Sequence, residues 1–137
     1  KLGPVLFQMP PRFSYNEERL DRIIKSLNPS FNNVTEFRHE SWWRKDVYQT
    51  LAEHNITFCG QSHPLLPDDV IKNTPSVYYR FHGVPVLYRS PYSKDFLQKV
   101  VEAVKGDKKE REGWFYFNND YDAVGVWNAK EMTEMIG

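Results

Sequence analysis

A single cysteine, Cys59, stands in the whole chain. No intrachain disulfide can form, and no paired-cysteine zinc pattern is available. That usage fits a reducing compartment and points to the cytoplasm. Net charge is missing as well: 18 basic and 18 acidic residues cancel. A general nucleic-acid binder would carry a basic excess, so the balance argues against one, although a local basic patch remains open. No apolar stretch approaches the roughly 18 residues of a membrane span, which argues against a membrane partner. No signal-peptide pattern is visible, and the chain opens on Lys1-Leu2-Gly3 without methionine. Internal repeats, low-complexity tracts and interdomain linkers are absent too. What is there is 137 residues, 40% hydrophobic and 15% aromatic. They read as one domain over 1–137, or part of one, with material for a real core.

The positive signal is a rhythm. Strand-like runs at Val5–Gln8, Val34–His39, Ile56–Gly60, Val77–Gly83 and Trp114–Asn119 alternate with helix-like runs. Such alternation predicts parallel β/α units. A first helix is expected over 14–28, with Ser14 and Glu17 as a capping box and Leu20, Ile23, Ile24 and Leu27 as its apolar stripe. Asn28-Pro29 ends it. A second is expected from Ser41, with Trp43, Val47 and Leu51 inward. A third is expected from Ser93, with Phe96, Val100 and Val104 inward and Gly106 as its stop. A fourth is expected from Asn128, capped with Glu131, with Met132 and Ile136 inward. The stretches 61–76 and 83–92, each carrying several prolines, read as long loops.

Strand parity adds a direction. Side chains alternate across a strand. Glu36 and Arg38 therefore share one face, and Tyr78, Arg80 and His82 share another. Leu6 goes with Gln8, and Tyr116 with Asn118. The opposite faces, Thr35 and Phe37, Tyr79 and Phe81, Phe115 and Phe117, suit covering helices. The first set turns polar toward the carboxyl ends of the strands, where parallel folds collect their ligands. A sheet buried on both faces would be apolar throughout. The expected fold class is therefore α/β and TIM-barrel-like, with helices outside and a polar cup inside. A closed barrel of eight units needs about 250 residues. These five strands are expected to be about the last five, with N-terminal units missing, or to self-associate through exposed strand edges.

Four stretches resemble those of the YecE-like family, a group of unknown function. They are Leu2–Pro11; Glu36-Phe37-Arg38-His39 followed by Ser41-Trp42; Tyr79–Gly83 followed by Tyr88 and Tyr92-Ser93; and Phe117-Asn118-Asn119 followed by Asn128-Ala129. Their order and spacing agree over almost the whole chain. The resemblance implies a TIM-barrel-like fold in which residue 1 lies near the fourth strand. It carries Gln8, Glu36, Arg38, His39, Arg80, His82, Asn118 and Asn119 as shared polar residues, and it implies no settled reaction or cofactor.

From the residues themselves, Glu36, His39 and His82 are candidate catalytic groups, because carboxylate and imidazole at strand ends make an acid–base set. A buried Glu36–Arg38 pair closing the interior is an equal reading, since structural ion pairs look the same in sequence. Arg38 and Arg80 suit phosphate or carboxylate, with the plainer alternative that Arg80 neutralises Glu36. Gln8 and Asn118 are candidates to orient substrate, while Asn119 reads more as a turn residue. Trp42, Tyr88 and Tyr92 are candidates to stack on a ligand, with Trp43 reading as core. Glu36, His39, His82 and Asn118 contain metal-type donors, but no local spacing supports a metal, and none is assigned. His54 and His63 read as ordinary loop histidines, and Cys59 as a small buried hydrophobe.

The expected ligand is small, polar or anionic, phosphorylated or sugar-like. An enzyme (hydrolase, isomerase or lyase) and a noncatalytic binding barrel both remain open. Metal-dependent nucleic-acid processing comes last.

Overall fold

The computed structural model describes residues 2–107 and 111–137. Six strands and four α-helices follow one another: β1 (Val5–Gln8), α1 (Glu17–Ser26), β2 (Asn33–Glu36), α2 (Lys45–Glu53), β3 (Thr57–Phe58), β4 (Gly60–Ser62), β5 (Ser76–Phe81), α3 (Lys94–Lys105), β6 (Glu112–Phe117) and α4 (Val124–Ile136). A 3-10 turn, Glu40–Trp42, precedes α2. Among the described residues, no helix is long and apolar enough to cross a membrane.

Among the described residues every strand pairing is parallel. One sheet has the order β1-β2-β3 and the other β4-β5-β6. A single residue, Cys59, separates β3 from β4. The run expected at 56–60 is therefore broken at Cys59 and extended to Ser62. Thr57 and Phe58 pair with Val34 and Thr35 of β2. Gly60, Gln61 and Ser62 pair with Tyr79, Arg80 and Phe81 of β5. Cys59 N–H still donates to Thr35 at 2.9 Å. Only glycine fits at the start of β4, because a Cβ on Gly60 would lie 2.8 Å from the Tyr79 ring and 2.9 Å from the Asp69 carbonyl. Hydrophobic pattern could not show β4, since two of its residues are polar and their ladder is made by backbone.

Helices cover the outer faces. α1 and α2 press Leu20, Ile23, Val47 and Leu51 onto Phe37 and Phe58. α3 and α4 press Leu97, Val100, Val101 and Met132 onto Tyr79 and Phe81. Between β4 and β5 an irregular segment, 63–75, takes the place of a helix. Asn73 ties it down, accepting from Phe58 N–H at 3.0 Å and donating to Ile56 and Tyr48 carbonyls.

One small apolar cluster joins the two sheets. Leu6 of β1 and Trp114 of β6, from opposite ends of the strand order, both pack on Val34, Cys59 and Tyr78. A side-chain carbon on Gly3 would stand 3.5 Å from the Trp114 ring.

Three helix starts differ from expectation. α2 begins at Lys45 rather than Ser41, because residues 40–42 form the separate 3-10 turn. α1 is capped by Asn16, whose Oδ1 accepts from Arg19 N–H at 2.8 Å. Ser14 instead holds the Arg19 guanidinium. α4 begins at Val124, four residues before Asn128, after Asp122 and Ala123 adopt left-handed conformations. Asn128 is thus inside a helix, and Ile136 is exposed. Ser93 caps α3 as expected, accepting from Phe96 N–H at 3.2 Å.

Candidate functional site

Parity along three parallel strands brings their polar ends together. Glu36 closes β2, Gln8 closes β1, and Arg80 lies next to the end of β5. Arg38 lies two residues past the end of β2, and His82 follows β5 directly. Glu36 is 0% exposed and stands at the centre. Its Oε2 accepts from Arg80 Nη1 at 2.6 Å, and its Oε1 accepts a short hydrogen bond from Arg38 Nε. His82 Nε2 lies 3.3 Å from the same Oε1. Gln8 Oε1 spans the two guanidiniums, 3.4 Å from Arg38 Nη2 and 3.3 Å from Arg80 Nη1. The Cys59 thiol lies below, 3.8 Å from Glu36 Oε2.

These neighbours set the charge states. Burial alone would raise the Glu36 pKa, but the His82 contact and the Arg38 and Arg80 charges outweigh it and hold the carboxyl at about 2. Glu36 is therefore ionised at neutral pH and a poor proton acceptor there. His82 is pushed below the usual histidine range, chiefly by burial. The two arginines add to that shift and Glu36 opposes it. The ring is neutral, and its Nδ1 is buried without a hydrogen-bond partner. Nε2 also stands 3.3 Å from Arg38 Nη2: with the proton on Nε2, facing the carboxylate, Nδ1 keeps a free lone pair, and with the proton on Nδ1, Nε2 accepts from Arg38. Two guanidiniums against one carboxylate leave one positive charge in surplus.

Five of the expected site residues, Gln8, Glu36, Arg38, Arg80 and His82, thus meet. Others are placed elsewhere. His39 caps the 3-10 turn: its Nδ1 accepts from Ser41 N–H at 3.3 Å and lies 2.7 Å from Ser41 Oγ. It makes no contact with Glu36. Trp42, expected near the strand mouth, is 0% exposed. It stacks on Phe37 at 4.0 Å, and its Nε1–H donates to the Phe13 carbonyl at 2.7 Å. It has no surface to offer a ligand. Trp43, expected in the core, is half-buried against Phe58.

Tyr92 is a pin rather than a lid. Its hydroxyl accepts from Gly83 N–H at 2.8 Å, and its backbone N–H and carbonyl are both held by Asn128. Tyr88 is exposed on the 83–92 loop, its ring 6.1 Å from that of His82. Asn118 is half-buried, and its N–H continues the ladder to the Phe81 carbonyl. Asn119 is fully buried and ties Ser90 to Asn128. Among the described residues, no group of three or more His, Cys, Asp or Glu side chains is placed to hold a metal ion.

The roles of two residues escaped the sequence reading. Asn128 shares the inward α4 face with Met132, four positions on, and that spacing was the available signal. His63, set aside as a loop residue, lies beside the site, its ring 6.1 Å from that of His82. No pattern in the chain marked it.

The sequence profile of the family described as "Protein of unknown function DUF72" matches residues 1–137. Among solved structures, a DUF72 family protein from Thermotoga maritima MSB8 is 28% identical, with a TM-score of 0.84 over 98% of this chain and 57% of that one. A DUF72 family protein from Enterococcus faecalis V583, in two crystal structures, aligns at 20% and 23% identity with TM-scores of 0.81 and 0.79. Each covers 96% of this chain, and 57% and 59% of the Enterococcus chain. At those identities the likeness is one of fold. The chain therefore spans less than two thirds of the length of these proteins. No curated protein matches it.

Proposed function

We propose, for a chain that belongs to the DUF72 family, that the cup around Glu36 is an enzyme site for a small anionic molecule, phosphorylated or carboxylated. The single observation that carries this reading is the unequal charge of the cluster. Arg38 and Arg80 converge on one buried carboxylate and leave one positive charge over. A planar guanidinium with unused N–H groups is suited to bidentate capture of phosphate or carboxylate. Glu36 holds the two arginines and the His82 ring in place. His82, neutral, is as buried as Trp42, so it would take or return a proton only where a bound ligand opens onto its unpartnered Nδ1. Gln8 orients the bound anion. Tyr88, exposed beside His82, is the aromatic group best placed to meet a ligand from the loop.

The same reading makes the parallel strands a curved part of a TIM-barrel-like arrangement, whose sites lie at the carboxyl ends of the strands. The contact of Leu6 and Trp114 with one inner cluster supports that curvature. The free outer edges of β1 and β6 are then the places where further strands, or a second copy, would pair. A cytoplasmic setting accords with the buried free thiol of Cys59.

A noncatalytic binding barrel is the second reading. Its support is that both Glu36 oxygens are already engaged, as in a structural ion pair. Calorimetric titration of the full-length protein with inorganic phosphate and a set of sugar phosphates tests the site. Binding by the native protein, weakened at least about tenfold in Arg80→Gln, is expected from loss of a charge-assisted pair. An absence of binding to the native protein, or unchanged binding in Arg80→Gln, overturns it. Conversion of a bound compound that is lost in His82→Asn, with binding kept, selects the enzyme. Saturation without conversion selects the binding barrel.

A further inference from the structure

Resting on the anion-site reading, we infer that the ligand has a second, uncharged part, and that it lies in the groove beside His63 between segments 63–75 and 82–93. That groove encloses about 490 Å³, within the roughly 300–1,000 Å³ range of small-molecule sites. It opens at the carboxyl end of β4, where the chain passes from Ser62 to His63. The charged cup is next to it. His63 lines the groove, and its ring stands nearly perpendicular to that of His82, 6.1 Å away. None of Gln8, Glu36, Arg38, Arg80 or His82 lines the groove itself, so His63 is the residue that links it to the cup.

The lining states the chemistry of the occupant. Val84, Tyr92 and Phe96 give one wall an apolar character, and Val84 is exposed. His63, Ser93 and Asp68 supply its polar lining. No lysine or arginine lines the groove. The Asp68 carboxylate would repel a second anionic group. The Nδ1 of His63 accepts from Leu65 N–H at 3.2 Å, so the neutral ring carries its proton on Nε2 and is a donor. Burial, then the Arg38 charge and His82, hold that ring in its neutral form. The geometry thus fits an anionic head on Arg38 and Arg80 with a body of apolar and hydroxyl character extending past His63.

The groove is also preformed. Asn128 grips the backbone of Tyr92 on both sides, at 2.9 and 3.0 Å, and the Tyr92 hydroxyl is fixed to Gly83. A wall held in this way spares the ligand the cost of ordering it.

The test compares inorganic phosphate with phenyl phosphate on the full-length protein by calorimetry. The readout is the ratio of their affinities. The native protein is expected to favour phenyl phosphate about tenfold or more, the value of filling an apolar pocket. Val84→Asp, at an exposed loop position, and His63→Ala should each bring the ratio close to one. Equal affinity of the native protein for the two compounds, with phosphate bound, overturns the groove alone. So does a preference that survives both substitutions. Failure of the native protein to bind phosphate at all overturns the underlying anion reading instead, and Arg80→Gln separates the cases by abolishing both affinities together.

Discussion

Two layers of the same inner face behave in opposite ways. The lower layer, Leu6, Val34, Cys59, Tyr78 and Trp114, is an apolar plug. The upper layer, Gln8, Glu36, Arg38, Arg80 and His82, is a charged network. Leu6 is followed by Gln8, Val34 by Glu36, and Tyr78 by Arg80, each two residues later on one face of one strand. Strand geometry is therefore identical in the two layers, and only depth along the strands separates them. The lesson is about burial rather than exposure: Glu36 is as inaccessible as Val34. One layer is stable because it excludes water. The other tolerates dehydration because its buried carboxylate is met by two guanidiniums, with one positive charge left over.

Breaking a partner in the upper layer should give the largest effect. Glu36→Gln leaves two guanidiniums facing each other in a buried site, and a loss of about 3–5 kcal/mol is expected. Denaturant unfolding measures it, and a loss under about 1 kcal/mol would show that water reaches the cluster.

Acid distinguishes the layers next. The Glu36 pKa is depressed to about 2 from 4.5. Its contribution is full above 4.5 and is lost as pH falls toward 2, on the order of 3 kcal/mol at about 1.4 kcal/mol per unit. His82, also depressed, adds a loss that begins as pH drops below 6.5. Both groups thus make the fold weaker in acid. The acid limb below 4.5 should shrink in Glu36→Gln, leaving the part owed to His82 and to the arginine-paired Asp46 and Asp107, and persist in full in Val34→Ala, as followed by circular dichroism against pH.

Val34→Ala itself removes two buried carbons from the lower layer and should cost about 2 kcal/mol. Its cost should be the same at pH 5 and pH 8. The smallest effect belongs to Cys59 of the lower layer, whose thiol lies 3.8 Å from Glu36 Oε2 in the layer above. Burial, then the Glu36 charge, raises its thiol pKa well above the ordinary value, so a disulfide reagent at pH 8 should leave it unmodified in the native protein and react in denaturant. Rapid native labelling would mean that the apolar plug opens.

Much of this comparison was legible in sequence because parity is a property of the backbone. The alternation of strands and helices, the two outer apolar faces and the meeting of Glu36 with Arg38, Arg80 and His82 all follow from a period of two. What was not legible depends on contacts between distant segments. Trp42 and Trp43 are neighbours of one type, and only the path of the 3-10 turn decides which is sealed under Phe37. His39 matched a catalytic residue type, yet local backbone geometry made it a cap. Asn16 displaced Ser14 at α1 because the chain enters its first turn two residues later. Asn128 looked like a helix start, but a left-handed pair at Asp122 and Ala123 let α4 begin earlier and turned that amide inward.

The change of partner at Cys59 has one more consequence. β2 and β5 never touch as strands; each is bonded to a different half of the run 57–62. That run acts as a common ruler for both. Sliding either neighbour by a single residue would turn its carboxylate or guanidinium to the far side. The 2.6 Å spacing between Glu36 and Arg80 is thus calibrated by a third segment that contributes no charge of its own.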